Sequence, residues 1–329
     1  MKKVLLAGPA ILIALSFCAC AKKEGGAASQ AAGRYADQMY VEVSALNGLE
    51  GYYDHREGLR LVGEELGVKT EFTGPADYEL NAVAAAIAEA VARKPAGILV
   101  VGWEESLNGA VNQAIEAGVP VVTVDADLPA SKRLAFIGTS NLNAGAQLAQ
   151  WMIKKLNNRG TVAMLGNAAL SGIRDRMQGV KSAFAESGLR IVQIGDSMSD
   201  AGSAAQTAAA ILQQFPDLDA MMGIDIYSSL GIGNALKEEG KVGTVLATGF
   251  GRDDSLLELI DEGVVAATVV QRTALMPYYA TLILWQLHNS KVALTEEGDT
   301  VKVLNLPSFV DTGVIIVEKE QARAFKRSK

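Results

Sequence analysis

Residues 118–129 read G-V-P-V-V-T-V-D-A-D-L-P. Within them, 119–124 is a short apolar, β-branched run, the composition of a strand buried on both faces of a parallel sheet. It stops at two carboxylates, Asp125 and Asp127, and a proline. In open α/β sheets ligands sit beyond the carboxyl ends of the strands, so acids placed there face a cleft. On position alone, Asp125 serves equally well as the cap of a turn or helix.

The same alternation continues outward in both directions. Upstream, strands are expected at 39–46, 68–72 and 98–101, with helices at 52–66, 77–93 and 107–117. Gly67 stands where the first helix should stop, and Leu80, Val83, Ala84 and Ile87 share one face of the second. Downstream, strands at 134–137, 162–165, 191–194, 220–224, 244–248 and 265–270 alternate with helices at 147–156, 176–186, 204–214, 229–239, 255–261 and 275–287. Residues 301–306 and 314–317 close the chain as extended segments. This βαβα succession implies parallel sheets with helices on both faces. Two doubly wound units follow one another, too different to be a repeat. The 329 residues suit two domains of ordinary size.

A formal charge of −7 argues against a nucleic-acid groove, which needs a clustered basic surface. Lys2 and Lys3 precede an apolar run, 4–17, that is short for a membrane span and suits a targeting segment. The next residues, F-C-A-C-A-K-K, resemble a bacterial lipoprotein signal. Cys20, after Ala19, fits the lipidated position better than Cys18, after Phe17; the alternative is an ordinary cleaved signal with incidental cysteines. Residues 1–20 are thus expected to be signal and lipid anchor, and 21–37 a flexible tether. Both cysteines fall in the leader, which leaves the rest of the chain without a disulfide or a Cys-based metal site. His55 and His288 lie far apart, with no zinc-type spacing, so no metal or cofactor is expected. His55 reads as a solvated or partly buried helix side chain.

Several motifs, in order, carry a family likeness: V-S-A-L-N with a nearby aromatic pair, A-G-V-P-V-V-T-V-D, R-M-Q-G-V within a helix, F-P-D-L-D-A-M, A-T-G-F-G and G-V-V-A-A-T-V-V-Q. From 39 to 317 the chain resembles the ribose-binding class of bacterial substrate-binding proteins, the extracytoplasmic receptors of sugar ABC transporters. The resemblance implies two α/β lobes joined by three crossings, closing like a hinge around a ligand. One lobe would comprise 38–139 plus 272–302, the other 140–271 plus 303–325, with crossings near 139–141, 271–273 and 303–307.

By position, Asp125 matches the family's ligand-binding aspartate. Ala126 stands where the family often has arginine, and Asp127 is expected to compensate. Arg176 matches the helix arginine that reaches the ligand, its alternative being a helix-surface ion pair. Asp225 stands at a position of Asn or Asp, and Gln271 at the glutamine of a crossing, where it is alternatively a hinge hydrogen bond. Asn47, Tyr52 and Tyr53 stand in for an asparagine and aromatic-pair turn, one tyrosine being assigned to the core. Trp103 follows a strand and would point at the cleft, with Glu104 beside it. Gly251 replaces the family's usual aspartate and is followed by Arg252, which joins the expected site. A sugar suits such a set: charged groups bond its hydroxyls and aromatics cover its C–H face.

The implied partners are a sugar or sugar-like ligand, a membrane permease and, through the anchor, the membrane. A chemoreceptor is a further implied partner; nucleic acid is not, and a monomer is expected. The location implied is the periplasm or the outer face of the cytoplasmic membrane. The 118–129 acids and the segment E-L-G-V-K-T-E-F-T-G-P-A-D also resemble autoinducer- and rhamnose-binding receptors of the same fold. A lactose-repressor-type regulator would need a helix-turn-helix where the export signal stands. A glycosidase would need two poised carboxylates, such as Asp125 and Asp225 across a cleft, but no G-x-S-x-G, P-loop or G-x-G-x-x-G adds support. No enzymatic activity is expected.

Overall fold

The computed structural model describes residues 34–48, 51–77, 79–289 and 306–326. The expected signal, the Cys20 anchor, most of the tether and the extended stretch at 301–305 lie outside the described residues.

The stretch at 118–129 folds as the pattern demands. Strand β4 (Val121–Val124) is buried along its whole length. Val122 and Val124 pack into one apolar cluster and Val121 into another, so the strand has a core on each side. Neighbouring β3 (Gly97–Val100) pairs with it in parallel, Ile98 opposite Val121 and Val100 opposite Thr123. Strands β1 (Met39–Val43), β2 (Lys69–Thr73) and β5 (Phe136–Gly138) extend this sheet. Helix α1 (Tyr52–Leu66) buries Leu59 and Val62 and stops at Gly67, while α2 (Leu80–Ala92) buries Val83 and Ile87. A short 3-10 turn (Glu105–Leu107) leads into α3 (Asn108–Glu116).

The chain then enters a second lobe. Its helices are α4 (Asn141–Lys155), α5 (Ser171–Ala185), α6 (Ala201–Gln214), α7 (Ile226–Glu238) and α8 (Asp254–Asp261). They alternate with β6 (Gly160–Leu165), β7 (Leu189–Gly195), β8 (Ala220–Gly223), β9 (Leu246–Phe250) and β10 (Ala267–Gln271). Two clusters again cover the two faces of the sheet. Several helices begin earlier than their apolar periodicity suggests. For α4 and α6 the cause is a cap: the Ser140 hydroxyl accepts from the Asn143 amide, and Asp200 from the Ser203 amide.

Helix α9 (Leu275–Asn289) returns to the first lobe, where Met276, Ala280 and Leu284 pack with Leu99 and Val122. Strand β11 (Phe309–Asp311) pairs with β5 in parallel, so the first sheet runs β11-β5-β4-β3-β1-β2. The last crossing therefore lies at 312–313, and residues 306–311 belong to the first lobe. This corrects the expected crossing at 303–307 and the assignment of 303–325 to the second lobe. Strand β12 (Val314–Glu318) then pairs with β10, antiparallel to it, at the edge of the second sheet, β12-β10-β9-β8-β6-β7. A final helix, α10 (Lys319–Phe325), completes the second lobe.

Candidate ligand-binding cleft

The residues that matter follow strand ends, where parallel sheets leave unfilled space. In the first lobe, β1 leads to Asn47 and α1, β3 to Trp103, and β4 to Asp125. In the second, β8 ends at Asp225, β9 at Arg252 and β10 at Gln271, while Arg176 reaches in from α5.

Asp125 turns the chain sharply, with φ +63°, a left-handed conformation that aspartate tolerates better than most residues. Its amide donates to the Ile137 carbonyl at 3.2 Å. Its half-buried carboxylate accepts no hydrogen bond from a protein group among the described residues. Its charge acts on Tyr52 and His55 in its own lobe and on Arg176 in the other.

Arg176 donates to Asn141 Oδ1 (2.7 Å), the Ile224 carbonyl (3.1 Å) and Gln271 Oε1 (3.3 Å), and lies over the Phe250 ring at 4.0 Å. Burial pulls its guanidinium down to about 10, against Asp125 and Asp225, which favour the charge. It therefore remains a cation at neutral pH. Gln271 in turn donates to Thr139 Oγ1 at 3.0 Å, tying the second crossing to the first.

Tyr52 is buried, its ring centre 6.3 Å from that of Trp103, which is 39% exposed. The Tyr52 hydroxyl has no hydrogen-bond partner among the described residues. Burial, then Asp125 and Glu42, raise its pKa, so it stays protonated and able to donate. Tyr53 is 61% exposed, and Glu104 is exposed ahead of the 3-10 turn.

Like Arg176 and Gln271, four further expected site residues bond other protein groups. Asp127 receives the Arg133 fork at 2.5 and 2.6 Å, the Thr123 hydroxyl at 2.6 Å and the Leu128 amide at 2.7 Å. It holds the β4–β5 connection together. Asp225 caps α7 through the Ser228 amide (2.7 Å) and accepts from the Asn167 amide and Ser197 hydroxyl, both at 3.0 Å. Asn47 donates to the Gly74 carbonyl at 2.6 Å. Arg252 pairs with Asp54 at 2.7 Å and donates to the Phe325 carbonyl at 3.0 Å. Tyr52 lies near Trp103, the Asp125 charge acts on Tyr52 and Arg176, and Arg176 is bonded to Gln271.

Behind these residues lies a second layer that the local sequence pattern does not announce. His55 is buried, not solvated, and its Nδ1 meets Glu42 Oε1 at 2.5 Å, with Glu42 also fully buried. Burial alone would lower the His55 pKa, but the Glu42 charge and hydrogen bond, with Asp125 and Asp54, outweigh it and raise the value. The available signal was Glu42 itself, a charge inside the otherwise apolar strand M-Y-V-E-V.

The fold is thus two like-built lobes crossed three times by the chain, with charged and aromatic groups placed where their strands end. Residues 44–291 match the periplasmic binding protein domain, and the chain belongs to that family. It is 25% identical over 231 residues to the D-ribose/D-allose-binding protein of Pseudomonas aeruginosa, covering 69% of this chain and 66% of that one. It is 29% identical over 192 residues to the ribose import binding protein RbsB of Bacillus subtilis, covering 58% and 62%. The alignments thus span just under two thirds of these relatives. The arabinose-binding protein AraP of Geobacillus stearothermophilus superposes with a TM-score of 0.83 at 28% identity, over 88% of this chain and all of that one.

Proposed function

We propose that this protein is an extracytoplasmic receptor that binds a sugar or sugar-like polyol between its lobes and presents it to an ABC-type permease. The observation that carries this reading is the contrast among the acids at the strand ends. Asp127 accepts four hydrogen bonds from protein donors and Asp225 three, whereas the Asp125 carboxylate accepts none among the described residues. Its charge acts on Arg176 of the other lobe and on Tyr52, whose ring lies near that of Trp103. A carboxylate held this way suits two hydroxyls of fixed direction, and a wrong ligand would leave it desolvated and unpaired.

In this reading Asp125 accepts from ligand hydroxyls, Arg176 donates from the second lobe, and Tyr52 and Trp103 cover the apolar face. Bonds made to both lobes favour the closed form, which the permease recognises, in proportion to their preference for closure. The family supports a place outside the cytoplasm and a binding role without catalysis. Asp225, with both oxygens accepting from protein groups, is poorly suited to act as the second acid of a glycosidase. Attachment to the membrane through Cys20 completes the proposal.

Thermal-shift and calorimetric titration of the purified protein against a panel of mono- and disaccharides tests it. Saturable, heat-releasing binding of at least one sugar without turnover is the expected result. The absence of binding across pentoses, hexoses and their deoxy forms would overturn it.

A further inference from the structure

Asp54 and Arg252 belong to different lobes and form an ion pair. Asp54 lies in the first turn of α1, Arg252 in the loop after β9, and Nη1 stands 2.7 Å from Oδ2. This ion pair joins the lobes. Both side chains are partly withdrawn from water, at 12% and 29% exposure, so the attraction is screened less than at an open surface.

Each partner is also held from behind. The same Asp54 oxygen accepts from Thr273 Oγ1 at 3.1 Å, which ties it to the second crossing. Arg252 donates through Nε to the Phe325 carbonyl at 3.0 Å and lies over the Phe325 ring at 5.9 Å. Little side-chain entropy remains to be lost when the two meet. A contact made between lobes, by groups already oriented within each, stabilises only the arrangement in which the lobes come together.

We infer that Asp54 and Arg252 form an interlobe clasp that favours closure without touching ligand. The clasp raises the closed fraction of the empty receptor. Ligand affinity therefore carries a contribution from a pair outside the recognition set, because the fraction already competent to bind scales the apparent affinity. That contribution weakens with salt, unlike bonds made to a neutral ligand. The affinity consequence rests on the sugar-receptor reading; the effect on closure does not.

Small-angle scattering of the ligand-free full chain separates the two. At low ionic strength the wild type is expected to be compact and to expand as sodium chloride is raised to about 1 M, where the Debye length falls to about 3 Å. Asp54→Asn keeps the side-chain shape and should be expanded at low salt already, with little further response. Identical radii of gyration for the two at low salt, with no salt response in the wild type, would overturn the clasp. If Asp54→Asn shows a lowered unfolding midpoint, the salt series on the wild type decides alone. In parallel, titration with D-ribose, D-allose and L-arabinose should show affinity about three- to tenfold weaker in Asp54→Asn for whichever sugar binds. If no sugar binds the wild type, the receptor reading fails while scattering still judges the clasp.

Discussion

Asp125, Asp127 and Asp225 look alike in the sequence, each an acid closing an apolar run, and their roles diverge because of what reaches them. Asp127 is met by Arg133 and Asp225 by Ser197 and the Asn167 amide. Asp125→Ala should therefore weaken ligand binding by about 2–4 kcal/mol, since bonds to a charged group contribute more than neutral ones. Its unfolding midpoint should barely move. Asp127→Ala should do the reverse, removing a largely buried partner and costing about 2–3 kcal/mol of stability with affinity retained. Paired calorimetric and denaturation measurements on the two variants check both.

His55 adds a pH dependence. Its folded pKa lies above the unfolded value of about 6.5. Its contribution to stability is thus fully present below that value and is lost as pH rises through the folded pKa. The unfolding midpoint should fall as pH rises above about 6.5 in the wild type, and fall less in His55→Gln. Equal slopes in the two proteins would remove His55 as the cause.

Among the elements, the helices and inner strands were legible because burial writes a period into the sequence. The strand at 118–129 and helix α1 occupy the places their apolar spacing predicts. Strand β11 was not legible. Phe309, Val310 and Asp311 are too few and too exposed to carry a pattern, and only pairing with β5 makes them a strand. The packing of α4 on α5 was equally silent. A Cβ at Gly145 would lie 2.0 Å from the Arg176 carbonyl oxygen, so the backbone carrying the cleft arginine rests directly on this glycine. Gly145→Ala should force the helices apart, lowering stability by about 1–3 kcal/mol. It should also weaken ligand binding by displacing Arg176, which makes affinity the readout that distinguishes it from a remote packing defect.

Across the whole molecule, the three crossings are linked by side chains as well as by chain. Gln271 bonds Thr139, and Asp311 accepts from the Ser140 amide at 2.9 Å, so hydrogen bonds join the strands of the hinge. A bound sugar should reduce the radius of gyration of the wild type in scattering, and the reduction should be smaller in Asp125→Ala at the same sugar concentration. Two doubly wound units, their order and the residues at their strand ends follow from local patterns of apolar and polar residues, which each segment carries within itself. Which acid is left without a protein donor among the described residues, where the last crossing falls, and that Arg252 meets Asp54 depend on partners far away along the chain. Those choices are made by packing, because a side chain's hydrogen-bonding capacity is spent on whatever the fold brings within reach.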